Sequence, residues 1–159
     1  MSCDPVALSA IIWLAAAAPQ EPATLRPAVA VSAAPSPLAS EPLFADIVAR
    51  AGALRGRAEG WKGQTGALPG FAEFKTDIAR LADLDMEGHR TLAARGTDGD
   101  LKCILRGIAQ DLPVRLGELE SAADPKARDR AINEMVWLLR DNVEVIVTPP
   151  TVTSGTTGL

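Results

Sequence analysis

The stretch Leu101–Leu119, LKCILRGIAQDLPVRLGEL, decides the fold class. Leu101, Leu105, Ile108, Leu112, Leu116 and Leu119 fall at steps of 4, 3, 4, 4 and 3. That is the period of one face of an α-helix, not the alternation of a strand. The stripe passes straight through Pro113. A true break would reset its phase, so the spacing predicts one helix kinked at Pro113. Thr97 and Asp100 precede it as a T-x-x-D start related to the capping box.

The same period recurs on both sides. Upstream, Phe71, Phe74, Ile78, Ala82, Leu92 and Ala93 make the stripe of a helix over 71–95 that Gly96 should stop. Before that, Leu43, Phe44, Ile47, Val48, Ala51 and Leu54 follow Ser40 and Pro42, an N-cap residue and a first-turn proline. Downstream, Asp124-Pro125 signals another helix start, followed by Ile132, Met135, Val136, Leu139, Val143 and Ile146. The loop GRAEGWKGQTGALPG, residues 56–70, joins the first two helices and reads as a flexible connection. The expectation is an all-α chain, a small up-down bundle of about four helices over 40–147.

Outside the bundle the composition shifts. Val6–Ala18, VALSAIIWLAAAA, is an uncharged run of 13 residues. As a helix it spans about 20 Å, short of the ~30 Å hydrocarbon core, so a stable transmembrane span is not expected. Its length and its terminal alanines fit a signal-peptide apolar region, and residues 1–18 read as a signal peptide. That leader is unusual, with Asp4 where a basic region belongs. Residues 19–39 hold prolines at 19, 22, 27, 35 and 37 and read as a disordered Pro/Ala-rich tether. Residues 148–159, TPPTVTSGTTGL, read as a disordered tail. The chain is therefore expected to be periplasmic or secreted.

The whole chain has 159 residues, 47% hydrophobic and 23% charged, with a formal net charge of -4 and a pI near 5.0. These fractions are those of an ordinary globular protein. Aromatic residues are 4% of the total and tyrosine is absent, which argues against a stacking platform for single-stranded nucleic acid. A mildly acidic chain also lacks the positive field that phosphate backbones require.

Few residues invite chemistry. Asp85, Met86 and His89 lie within one turn and a half of the second helix, and His89 falls in line with Phe71 and Ile78. A carboxylate and an imidazole at i and i+4 can hydrogen-bond each other or share a transition metal. The plainer reading is a core histidine satisfied by Asp85. Haem b held by His89 with Met86 or Met135 is the alternative, since four-helix bundles can house haem. No C-x-x-C-H, no Glu-x-x-His pair and no catalytic nucleophile motif is present. Cys103 lies well off the leucine stripe, with Gly107 one turn along the same side. That pair reads as a contact surface, with a Cys103 disulfide dimer as one form of it, or as an inert thiol. Trp61 and Trp137 stand off the core stripes and read as recognition residues. The function expected from all this is an exported binding or scaffolding module, not an enzyme, whose partner is another protein or a second copy of itself.

Overall fold

The computed structural model describes residues 36–96 and 99–149. The segments read above as signal peptide, most of the tether, and all but the first two residues of the tail lie outside the described residues. A 3-10 turn, Pro37–Ser40, leads into four α-helices: α1 (Pro42–Glu59), α2 (Phe71–Ala94), α3 (Leu101–Glu120) and α4 (Pro125–Val147). No strand occurs among the described residues, and no helix among them is long and apolar enough to cross a membrane.

The helices close in a ring. Each packs on its neighbours in sequence, and α4 returns to α1. α2 and α4 therefore face each other across the diagonal, as do α1 and α3. This is an all-α up-down four-helix bundle, reached because short connections force antiparallel neighbours.

Burial shows a regular seam. On α1 the buried positions are Phe44, Ile47, Ala51, Leu54 and Ala58, at alternating steps of 3 and 4. On α2 they are Phe74, Ile78, Leu81, Asp85, Gly88 and Leu92, with the same alternation. α4 continues it with Ile132, Met135, Leu139, Asn142 and Ile146, flanked by Ala131 and Val136. Such 3–4 spacing is the geometry of coiled-coil-like packing. Two polar residues, Asp85 and Asn142, occupy seam positions.

The termini of the helices follow local chemistry. Asp124 caps α4, its carboxylate accepting from Ala127 N at 2.8 Å, with Pro125 in the first turn. Gly96 ends α2 with φ +65°, a value that favours glycine. α3 starts later than the T-x-x-D pattern predicts. Asp100 is its N-cap, with helical dihedrals and no side-chain cap, so the carboxylate does not serve as a third-position partner.

The folded body also begins before residue 40. Ser36 caps the 3-10 turn and its N–H donates to Val147 O at 2.8 Å, fastening the turn to the end of α4. Leu38 and Ala39 pack on the core, so this part of the expected tether is ordered. The 60–70 connection is pinned as well. Arg57 reaches Gly70 O and Arg128 reaches Gly66 O, while Gln64 closes back on Gly60 O.

Pro113 sits inside α3 without ending it. Its ring removes the N–H that would bond the carbonyl of Ala109. Pro113 is solvent-exposed, so Pro113→Ala restores that bond without disturbing the core. Against this, the unfolded chain regains freedom that proline denied it. The net expectation is a gain of about 1–2 kcal/mol, read as a higher urea midpoint at unchanged slope.

Candidate functional site

The most unusual group in the bundle is its buried polar pair. Asp85 on α2 and Asn142 on α4 are both fully buried. Asn142 Nδ2 donates to Asp85 Oδ2 at 2.8 Å, a hydrogen bond thrown across the diagonal of the ring. The remaining oxygens, Asp85 Oδ1 and Asn142 Oδ1, have no partner. Burial pushes the Asp85 carboxyl up to about 7 from an ordinary 3.8, and the Asn142 hydrogen bond, which lowers it, only partly opposes this.

The tight layer around this pair depends on Gly88, one turn along α2. A Cβ there would stand 3.1 Å from Leu105 Cδ1, 3.3 Å from Phe44 Cε1 and 3.5 Å from Ile47 Cδ1. Side chains of α1 and α3 thus press directly on the α2 backbone.

The structure separates the residues that the sequence groups near His89. Asp85 turns inward to Asn142, whereas His89 is half-buried and its Nδ1 lies 2.6 Å from Lys102 O on α3. Asp85 is therefore not the partner of His89, and the two are not presented as a ligand pair. The reason is phase. The seam runs through 74, 78, 81, 85, 88 and 92, and His89 stands one residue off it, on the α2–α3 flank. Met135 is fully buried in the core and Met86 is half-buried. No cluster of three or more His, Cys, Asp or Glu side chains with metal-binding spacing occurs among the described residues.

The two tryptophans part company as well. Trp61 is 4% exposed. Its Nε1–H donates to Pro69 O at 3.2 Å, and its ring meets Phe74 edge-on at 4.7 Å and Phe71 at 5.9 Å. It closes one end of the core, so a partner cannot reach it without opening the bundle. Trp137 is 57% exposed and Val114 55%, and these are the large hydrophobic side chains that stand out from the described surface. Arg140 lies over the Trp137 ring, its guanidinium carbon 3.9 Å from the centroid, and pairs with Glu144 at 3.3 Å.

Cys103 is half-buried, and no described cysteine is a free thiol. That runs against the reading of Cys103 as an inert thiol and does not test a disulfide dimer. Gly107 does open on free space, with nothing within 4 Å of an added Cβ.

Sequence reading missed a cleft of about 470 Å³ at the α3–α4 corner, bordered by Arg115, Glu118, Ser121, Arg130 and Glu134. Arg115 is paired to Glu118 at 2.9 Å. With two arginines set among two glutamates, the cleft has no dominant sign of charge. Neither this cleft nor the two smaller ones, beside Arg57 and beside Phe71, is lined by His89.

No family model, no curated protein and no solved structure matches this chain.

Proposed function

We propose that the chain is an exported, periplasmic or envelope, helical module that acts by binding or scaffolding another protein and not by catalysis. The observation that carries the reading is Trp137. A large indole left in water on the outer face of α4 forgoes the burial that its surface would gain in the core. Arg140 stacked beneath it braces the ring and keeps a cation against its face, the combination of aromatic and arginine that dominates binding hot spots. Val114 on α3 adds a second exposed apolar side chain on a neighbouring helix. Export rests on the leader-like residues 1–18 and the proline-rich segment that follows them.

Trp137→Ala is expected to leave helix content and melting temperature within experimental error, because the side chain is exposed. Binding should weaken by about 2 kcal/mol or more, some 30-fold. The measurement is titration of the purified chain, wild type and variant, against partners cross-linked to it in the envelope fraction, with sedimentation velocity for self-association. Equal affinities for both proteins would remove Trp137 from the interface. Fractionation of producing cells, with the mature N-terminus read by mass, tests export: an intact N-terminus in the cytoplasm overturns it.

A further inference from the structure

We propose that Asp85 and Asn142 form a proton-binding site at the centre of the bundle, in which one proton on the Asp85 carboxyl ties α2 to α4 and its loss loosens the fold. The inference is independent of the binding reading above.

The argument begins with hydrogen-bond supply. The pair offers three acceptor oxygens and one amide group, and a single hydrogen bond is made, Asn142 Nδ2 to Asp85 Oδ2 at 2.8 Å. Two acceptors, Asp85 Oδ1 and Asn142 Oδ1, are left without a donor in a fully buried position. Buried polar atoms without partners are rare and costly. A proton on the carboxyl supplies the missing donor, and it removes the charge at the same time.

Among the described residues, nothing else in the core supplies a counter-charge. The buried positions of α1 and α3 are all apolar, and Asn142 is the one polar buried position on α4. On α2, Asp83, Glu87 and Arg90 are exposed, and His89 is turned to the Lys102 carbonyl. On α1, Asp46 and Arg50 pair with each other at the surface. On α4, Arg140 pairs with Glu144 and lies on Trp137, and Asp141 is half-buried beside it. On α3, Lys102 and Arg106 are half-buried. Asn142 is accordingly the only hydrogen-bond partner of the carboxyl among the described residues.

Burial also holds the Asp85 carboxyl at about 7 against 3.8 for the free side chain. An acid whose folded value is raised keeps its proton in the folded state while the unfolded chain releases it. Stability is then highest below about pH 4 as far as this group is concerned, and it falls as pH rises toward 7. Over that window the folding equilibrium constant should fall about 1,000-fold, tenfold for each pH unit of the difference. The diagonal placement makes the effect global, because α2 and α4 have no direct backbone packing to fall back on.

The test is urea unfolding of the full chain at pH 5, 6, 7 and 8, for the wild type and for Asp85→Asn. An asparagine at 85 can exchange amide hydrogen bonds with Asn142 and cannot ionise. The wild type should lose stability relative to the variant from pH 5 to about pH 7 and then level off, and the variant should be the more stable protein at pH 8. Taking the difference between the two removes the contribution of every other titrating group. Equal pH slopes for the two proteins overturn the proposal. Should Asp85→Asn fail to fold, the wild type still decides: the side-chain carboxyl carbon of Asp85, followed by NMR, should titrate near neutrality, and a midpoint close to 4 overturns the proposal.

Discussion

Phe74→Ala should lower the unfolding free energy by about 3–5 kcal/mol, the usual cost of emptying a buried phenylalanine site. The side chain is fully buried in the first turn of α2. Its ring is the hub of an aromatic cluster, 4.7 Å from Trp61 at 64° and 6.5 Å from Phe71 at 15°. The guanidinium of Arg57 stands 5.6 Å from its centroid. Edge-to-face pairs add about 0.5–1.5 kcal/mol beyond burial, so the loss should sit toward the upper end of the range.

The cost also reaches the connection between α1 and α2. Trp61 holds Pro69 through its indole N–H, and without Phe74 the ring loses its closest aromatic support. For a domain with about 5–15 kcal/mol in total, such a loss removes a third or more of the stability. Phe71→Ala is the internal comparison: that ring is half-buried and should cost about half as much or less. The measurement is urea unfolding monitored by far-UV circular dichroism. A Phe74→Ala loss below 1 kcal/mol would mean that the cluster does not close this end of the bundle.

Much of this architecture can be read from spacing. The apolar steps from Phe44 to Ile146 place all four helices, and Asp124-Pro125 and Gly96 mark a start and a stop that the structure shows. What spacing did not convey was which of two adjacent stripes faces inward. On α2 a line through Phe71, Ile78 and His89 is as periodic as the true seam through Phe74, Leu81 and Asp85. The seam wins because the six residues from Phe74 to Leu92 recur at 3 and 4 without a gap, matching α1 and α4.

Asp85, Gly88 and Asn142 hide that regularity, since a carboxylate, a glycine and an amide do not score as apolar. The same regularity was the available signal for Asn142, which falls three residues after Leu139 and four before Ile146. Its partnership with Asp85 spans 57 residues, and no local rule reports such a distance. The cleft near Arg130 is invisible for a related reason: it exists only where two helix ends meet.

Gly88→Leu should be as damaging as the loss of a core side chain, and Gly88→Ala nearly silent. Glycine within a helix costs about 1 kcal/mol relative to alanine through backbone entropy. At Gly88 the backbone is helical and carries no positive φ, so its dihedrals do not call for glycine. What calls for it is space. An added Cβ meets Leu105 Cδ1 at 3.1 Å and Phe44 Cε1 at 3.3 Å. Both are side-chain atoms, not backbone, so a shift of a few tenths of an ångström relieves the contact, and the helix-propensity gain offsets that strain.

Leucine brings three more carbons into the same gap between α1 and α3. Overpacking a closed core typically costs about 1–3 kcal/mol, and here the added atoms are flanked by the two facing helices. The insertion falls one turn from Asp85, so it also strains the Asn142 hydrogen bond. We expect a loss of about 3 kcal/mol or more, or a chain that fails to fold. Denaturation midpoints for the two variants decide the matter. If leucine is tolerated as well as alanine, α1 and α3 do not press on α2 at this level, and the burial of Asp85 that rests on that closeness would have to be reconsidered.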